Sequence, residues 1–281
     1  MARTPVSLAA IVGLVALLGG VLPASAQTIG NAVSFAIVGG AGVAVNGSGS
    51  LISGDVGINP AAATLITGIP GNGIVLPPFA NHGNDGAAIA ASVDVTTLYN
   101  SAALAPAGGI VTGPDLSLSG PTANGIYTPG KYFVSVGTAI VPAGGIMRLV
   151  GNGLYIFTVN SDLTTAVTGQ IIFAGVDPCN VWWRVPTQAA INNANFPGNV
   201  VSNAGISLGT ATRLFGRALT TAPGIITLAG NNNVGNCSGA AVLPSPVPTL
   251  PSSFFILLTL GLLGAGFFQL QRRGSSGMIA G

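Results

Sequence analysis

Small polar residues spaced two positions apart are the side chains of this sequence that could act together on a ligand. Asn193 and Asn195 form one such pair, and Thr210 and Thr212 form another. Because successive side chains of a β-strand alternate between its two faces, we expect each pair to point to one face. If the strands stack as rungs of a solenoid, the pairs would form a flat array of hydroxyl and amide groups. Each group would hold a water molecule weakly, whereas a rigid array could order many at once.

Groups able to perform catalysis are scarce. The chain has one histidine, His82, no glutamate, and six aspartates spread along its length. It lacks a Gly-x-Ser-x-Gly elbow, a phosphate-binding loop and zinc-ligand spacing. We therefore expect a protein that is not an enzyme and has no cofactor and no metal site. Asp55 is expected to bond to backbone amides and His82 to have a structural hydrogen-bonding role.

The composition favours a folded β protein that holds such an array rigidly. The chain has 281 residues, of which 49% are hydrophobic, only 5% are charged and 43 are glycine. Strand-length apolar runs alternate with Gly, Asn, Thr and Pro, and this pattern is typical of many short strands. We expect one all-β domain over residues 27–243.

The charge distribution argues against binding to nucleic acid. Three of the eight basic residues, Arg3, Arg272 and Arg273, lie in the two ends of the chain. The body keeps five bases against six aspartates, so its net charge is close to neutral. Phosphate-backbone binding needs a concentrated basic surface, which the body lacks.

Both ends of the chain have the features of targeting segments. Residues 1–26 carry an arginine, an apolar run and an Ala24-Ser25-Ala26 cleavage site, and they are predicted to be a signal peptide. Residues 244–252 form a Pro-rich linker, and the apolar segment that follows, 253–273, ends in two arginines. We expect an exported protein whose C-terminal transmembrane segment anchors it at the cell surface, at least transiently.

One helix interrupts the strands. Asp85 is a suitable N-cap, and Ile89, Val93, Leu98 and Ala102 give an apolar stripe, so the pattern predicts a helix over 86–104. The adjacent Trp182 and Trp183 must point to opposite faces of one strand. We expect packing rather than a sugar-stacking platform from this pair.

Several separated motifs resemble the ice-binding protein family of antifreeze β-solenoids. They are Ser34-Phe35-Ala36, Ser53-Gly54-Asp55-Val56-Gly57, the His82-x-x-Asp85 pattern before the helix, Leu163-Thr164-Thr165-Ala166, and the stretch from Gly209 to Leu219. The resemblance implies a discontinuous right-handed β-solenoid with one long α-helix packed alongside. It also implies adsorption of a flat Thr/Asn-bearing face to ice crystals.

The candidate residues for this face are small and polar. They are Thr165, Asn193, Asn195, Thr210, Thr212 and Thr221. The sequence departs from the family near them, since Arg213 stands where a threonine is common and Phe215 where an asparagine is common. A long cation or a bulky ring would disturb a flat array.

The two cysteines, Cys179 and Cys237, either form a disulfide in the oxidising compartment outside the cell or remain as two unpaired thiols. The tail around Val247-Pro248-Thr249-Leu250 resembles the Ile-Pro-Thr-Leu variant of the C-terminal sorting signals of Gram-negative bacteria. The same tail suits an alternative function, that of a non-catalytic surface or matrix protein. Its partner would be a surface polysaccharide or another protein.

Overall fold

A computed structural model describes residues 29–101, 109–121 and 125–235. These residues all belong to one compact unit, Met1–Ala241, and the second unit, Val242–Gly281, lies outside the described residues. Within the described ranges the chain coils through strand after strand, with one α-helix, α1 (Gly86–Asn100).

The strands are short and evenly distributed along the chain. The first seven are β1 (Phe35–Gly39), β2 (Gly42–Val45), β3 (Ser50–Ser53), β4 (Asp55–Ile58), β5 (Ile66–Thr67), β6 (Gly73–Val75) and β7 (Asn81–Gly83). After the helix come β8 (Ile110–Thr112), β9 (Ile126–Tyr127), β10 (Gly130–Val134), β11 (Ala139–Val141), β12 (Ile146–Leu149), β13 (Tyr155–Val159), β14 (Leu163–Thr165) and β15 (Gln170–Ile172). The remainder are β16 (Val181–Val185), β17 (Gln188–Ile191), β18 (Asn195–Pro197), β19 (Asn199–Ser202), β20 (Gly205–Leu208), β21 (Arg213–Phe215), β22 (Ala218–Thr220), β23 (Ile225–Leu228) and β24 (Asn233–Gly235). Short 3-10 helices lie at Gly30–Ser34, Ala63–Leu65 and Pro178–Asn180.

The strands form a three-faced solenoid in which each turn of chain adds one strand to each face. The A face is a sheet in the order β7-β4-β1-β22-β19-β16-β13-β10-β8, and the B face is a sheet in the order β11-β14-β17-β20-β23-β2-β5. The C face consists of two sheets, β18-β21-β24-β3-β6 and β15-β12-β9. The named strands pair in parallel throughout, as stacked rungs require.

The stacking order of the rungs differs from their order along the chain. β1 pairs with β22, β2 with β23 and β3 with β24, so the first rung that the structure describes stacks on the last described one. The solenoid is therefore discontinuous, as the resemblance implied.

A column of aromatic rings fills the interior. Phe157 stacks on Trp183 with ring centroids 4.3 Å apart, and Tyr132 and Phe196 continue the column on either side. Trp183 is completely buried in this core, whereas Trp182 is buried on the opposite side of β16, beneath the helix. Both indoles are packing residues, so the prediction for the tryptophan pair is confirmed.

Helix α1 covers the A face, and of the described residues of the predicted stripe only Leu98 contacts the sheet. Ile89 and Val93 are exposed, while Ala91, Val95 and Leu98 are buried against the sheet. The small residues Ala88 and Ser92 are buried on the same side, and an apolar pattern alone does not reveal their position. The helix also ends at Asn100, earlier than predicted, and positions 102–104 of the prediction lie outside the described residues.

Both ends of α1 are held by side chains from the solenoid or its edge. At the start, the Asp85 carboxylate accepts a hydrogen bond from the Ala88 N–H at 2.9 Å, which confirms the predicted N-cap. At the end, Arg184 donates from Nε to the Tyr99 carbonyl at 2.9 Å and places its guanidinium 4.2 Å from the Tyr99 ring centroid. The cation stabilises the helix because it lies beside the last carbonyl groups, at the negative end of the helix dipole. Its position near the Tyr99 ring adds a cation–π attraction.

His82 and Asp55 have the structural roles predicted for them. His82 Nδ1 lies 2.9 Å from Asp85 Oδ2, and its ring centroid lies 5.4 Å from that of Phe35. Asp55 accepts a hydrogen bond from the Ala80 N–H at 3.0 Å.

The cap at Asp85 predicts an acid-dependent stability. Its hydrogen bonds from the Ala88 N–H and from His82 hold the pKa of the carboxyl below its ordinary value of 3.8. A depressed folded-state pKa stabilises the fold above the unfolded pKa, and this stabilisation is lost as the pH falls through the folded value. The Asp85→Asn variant keeps a good capping residue without the charge. We expect wild type to lose stability relative to Asp85→Asn as the pH falls below the ordinary pKa of 3.8 and through the lowered folded-state pKa, measured by urea unfolding. A difference that does not change with pH would contradict this assignment.

Candidate functional site

Four of the six residues predicted to form the ice-contacting face are buried. The exposed fraction is 0% for Thr165, 1% for Asn193, 0% for Thr212 and 4% for Thr221. A buried side chain has no surface to offer a crystal, so these four positions are not face residues and the prediction for them is wrong.

The buried residues instead stabilise the corners where the chain passes from one face to the next. At the corner between the B and C faces, Thr165 Oγ1 donates to Asn193 Oδ1 at 2.8 Å, and Thr212 Oγ1 donates to the Ile191 carbonyl at 3.3 Å. At the corner between the A and B faces, Thr221 Oγ1 donates to Asn203 Oδ1 at 2.6 Å. These side chains satisfy polar groups that the turns would otherwise leave without hydrogen bonds.

The prediction from spacing was wrong because side chains two positions apart share a face only within a single strand. Asn193 precedes β18, and Thr210 and Thr212 lie in the turn before β21, where Ala211 has a φ of 61°. The chain changes direction at such a corner, so side chains two positions apart no longer share a face. Asn195 and Thr210 are exposed, but Asn195 lies on the C face and Thr210 on a turn.

The two departures from the family pattern lie on the C face. Arg213 and Phe215 belong to β21, which pairs with β18 and β24 in the C-face sheet. The B face does not include them, so they do not interrupt an array there.

The B face carries a continuous row of mostly small side chains at its centre, all of them partly or fully exposed. Strand pairing places these residues side by side in register, one from each strand. In spatial order the central row consists of Ile140, Thr164, Ala190, Ser207, Thr227, Ala44 and Thr67. Hydroxyl-bearing and apolar side chains are mixed along it.

A second, parallel row lies two residues earlier on four of these strands. It consists of Gln188, Gly205, Ile225 and Gly42. Neighbours within a row are about 4.7 to 4.9 Å apart, and the two rows are separated by about 6.6 Å. Neither row contains a charged residue.

The glycine positions keep the B face flat. Gly42 and Gly205 present no side chain, and Ala44 and Ala190 present only a methyl group. A Cβ added at Gly205 would lie 2.9 Å from the Ile225 carbonyl oxygen, so the backbone beside this glycine is tightly packed. Apart from Gln188, Ile140 and Ile225, the two rows therefore project little from the sheet.

Two carboxylates lie at the edge of the B face, and one of them, Asp115, bridges Ile140 just beyond the end of the central row. Asp162, the residue before β14, accepts hydrogen bonds from the Thr187 hydroxyl and, at 3.1 Å, from the Gln188 N–H. The hydrogen bonds from Thr187 and then from Gln188 lower the pKa of Asp162 below its ordinary value. The charge of Asp162 is thus held at the rim by hydrogen bonds, and the residues of the two rows have no titratable side chains.

The three faces of the described solenoid thus differ in what they offer a flat ligand. Helix α1 covers much of the A face, and the C face is divided into two sheets and carries Arg148 and Arg213. The B face is one continuous sheet whose strand residues are uncharged and whose outward positions lie in two rows at regular spacing. It is the candidate functional site.

The residues of the central row were not predicted, although their sequence contains a signal. Thr227 lies between Ile226 and Leu228, which are both buried, and this apolar, polar, apolar alternation marks an outward position. In Leu163-Thr164-Thr165, however, either threonine could face outward, and the prediction chose Thr165, the buried one.

The remaining predictions concern the cysteines and the two ends of the chain. Cys179 is disulfide-bonded, while Cys237 lies outside the described residues, so the identity of its partner stays a prediction. The predicted signal peptide 1–26, linker 244–252 and membrane segment 253–273 also lie outside the described residues. Among the described residues, no helix combines the length and apolar character needed to cross a membrane. The described ranges likewise contain no group of three His, Cys, Asp or Glu side chains that could hold a metal ion.

The fold and the flat face define a class of protein. A family model described as Ice-binding-like matches residues 37–234 of the 281-residue chain. The match covers more than half of the sequence, and the chain belongs to this ice-binding-like family.

Individual relatives agree with the family assignment. The chain is 30% identical over 256 residues to an ice-binding protein of Nostoc sp. (strain HG1), covering 88% of this chain and 86% of that protein. The crystal structure of an ice-binding protein from an Antarctic biological consortium matches with 28% identity and a TM-score of 0.64, covering 75% of this chain and 91% of that one. An ice-binding protein from the Antarctic ascomycete Antarctomyces psychrotrophicus, at 24% identity and a TM-score of 0.61, shares the fold over 75% of this chain and 98% of its own.

Proposed function

We propose that this protein binds ice and that the B face is the surface that adsorbs to the crystal. The observation that carries the proposal is the central row of the B face, in which small hydroxyl and apolar groups repeat at the strand spacing. The family assignment and the relatives that are themselves named ice-binding proteins support it.

The proposed mechanism uses the rigidity of the stacked strands. Neighbouring strands hold the row at a repeat of about 4.7 to 4.9 Å, close to the repeat of the ice lattice. The hydroxyls of Thr164, Ser207 and Thr227 hydrogen-bond to lattice waters, and the methyl groups beside them contact the spaces between those waters. Each contact is weak, but a sheet that cannot deform makes many of them at once.

Adsorption explains the antifreeze effect without any reaction. A protein fixed to the ice surface forces the growing front to curve between adsorbed molecules, and a curved front has a lower freezing point. The same adsorption blocks the growth of large crystals at the expense of small ones. The protein is proposed to act as a non-catalytic binder that needs no cofactor.

Location outside the cell belongs to the same proposal. The sequence of residues 1–26 supports export, and residues 253–273 support an anchor or sorting segment at the cell surface. A right-handed coil is proposed from the family resemblance.

Incorporation into growing ice tests the proposal directly. We expect the purified full-length protein to be enriched in a slowly grown ice hemisphere and to inhibit recrystallisation in a frozen sucrose solution. A heat-unfolded sample of the same protein is the control, because unfolding destroys the array and keeps the composition. Exclusion of the folded protein from the ice, with grain growth equal to that of buffer, would refute ice binding.

A further inference from the structure

The C face is interrupted by a groove between β15 and β18. The two strands follow one another in the stack but belong to separate sheets, since no backbone ladder joins them. The groove comprises two cavities of about 420 and 360 Å³. Asn195, Ile171 and Ile172 line both cavities, so the two are parts of one elongated groove.

The backbone of β18 is closed to an added strand. The Asn195 carbonyl accepts a hydrogen bond from Asn193 Nδ2 at 2.7 Å, and the Pro197 carbonyl accepts one from Trp183 Nε1 at 2.8 Å. Pro197 has no N–H to donate. A peptide that binds by strand addition needs these groups free, so a ligand of this groove must be recognised by side chains.

The lining side chains combine neutral amides with aromatic rings. Gln170 and Asn195 are exposed at the sides of the groove. Phe173 and Phe215 lie half-buried at one end, with ring centroids 5.5 Å apart and planes inclined by 59°. A sugar ring has both hydroxyl groups and apolar C–H surface. The amides of the groove can hydrogen-bond the hydroxyl groups, and the aromatic rings can contact the C–H surface.

Two arginines flank the groove, each one strand away from the residues that line it. Arg148 pairs in register with Ile172 on one side, and Arg213 pairs with Asn195 on the other. Both are exposed, and neither forms a salt bridge with a residue that the structure describes. The C-face strands contain no aspartate, so the only charged residues in these strands are the two arginines. Guanidinium groups bind carboxylates through paired hydrogen bonds.

We propose that this groove binds an acidic polysaccharide whose sugar units carry carboxylates. Arg148 and Arg213 hold carboxylates on either side of the groove, Gln170 and Asn195 bind hydroxyls, and the two phenylalanine rings contact the apolar face of a sugar. This activity goes beyond ice binding and uses a different face. The protein could thus hold an extracellular matrix on the C face while the B face contacts ice.

The test measures binding of polygalacturonate to the full-length protein by affinity electrophoresis at low salt. We expect retardation of wild type, with the apparent Kd raised roughly tenfold or more by the double substitution Arg148→Gln and Arg213→Gln. Lys131→Gln is the matched control because it removes a positive charge from the A face, and it should change the Kd by less than about twofold. The double variant should inhibit ice recrystallisation as well as wild type does.

Several outcomes would overturn the proposal. The first is that polygalacturonate does not retard wild type, and the second is that it retards the double variant as strongly as wild type. The third is that neutral dextran binds as strongly as polygalacturonate, which would show that charge has no role. Single-stranded DNA bound as tightly as polygalacturonate would show attraction by charge alone. Because recrystallisation is measured on the same samples, failure of the polysaccharide site and failure of ice binding are separate results.

Discussion

The substitution Thr227→Tyr is expected to abolish inhibition of ice recrystallisation while the protein stays folded. Thr227 lies in register between Ser207 and Ala44, near the middle of the central row of the B face. A tyrosine ring there would stand above neighbours that end in a methyl or a hydroxyl, and it would hold the crystal away from both sides of the row. We expect the concentration needed for inhibition to rise roughly tenfold or more, equivalent to about 1.4 kcal/mol of adsorption free energy.

The matched control lies on the same turn of the solenoid. Asn233, in β24, is partly exposed on the C face one strand after Thr227, and Asn233→Tyr adds the same ring away from the proposed contact surface. Surface substitutions of this kind usually change the free energy of unfolding by less than about 0.5 kcal/mol. Circular dichroism and thermal unfolding would verify the fold of both variants. If Asn233→Tyr lost activity and Thr227→Tyr kept it, the C face rather than the B face would be the ice-binding surface.

The largest loss of stability is expected from Trp183→Ala. The indole is fully buried, stacks on Phe157 and donates a hydrogen bond to the Pro197 carbonyl at 2.8 Å. Removal of a buried tryptophan side chain costs about 3 to 5 kcal/mol. This is a large part of the total stability of a domain, about 5 to 15 kcal/mol. Urea unfolding followed by tryptophan fluorescence and circular dichroism would measure the shift, and a loss below about 1 kcal/mol would contradict the central role of the aromatic column.

Phenylalanine substitutions at the two adjacent tryptophans separate the hydrogen bond from the volume. Trp183→Phe leaves the Pro197 carbonyl without its donor, and an unsatisfied buried group costs about 1 to 3 kcal/mol. The Trp182 indole N–H makes no hydrogen bond to any residue that the structure describes, so Trp182→Phe removes a similar volume and no such bond. We expect Trp183→Phe to be the more destabilising of the two. Equal losses would show that volume alone determines the effect.

Local features of the sequence correctly predicted the local structure. Asp85 caps the helix because an aspartate before a run of small residues is a chemical signal that needs no tertiary contact. The opposite orientations of Trp182 and Trp183 follow from the geometry of a single strand. Separated motifs resembling a known family indicated the discontinuous stacking, which no local pattern contains.

The sequence by itself thus determined the strand-rich class, the single described helix and the scarcity of catalytic groups. Only the tertiary structure decided which polar residues face water. The alternation of side chains predicts which way a residue points only within one strand. A three-faced solenoid turns a corner after every few residues, so the alternation does not continue from one strand to the next. Asn193 and Thr212 were predicted to face outward because each lies two positions from a similar polar residue, yet at the corners both side chains turn inward and donate hydrogen bonds to backbone carbonyls. Thr164, Ser207 and Thr227 are far apart in sequence, and they form a row only because parallel stacking brings their strands into register.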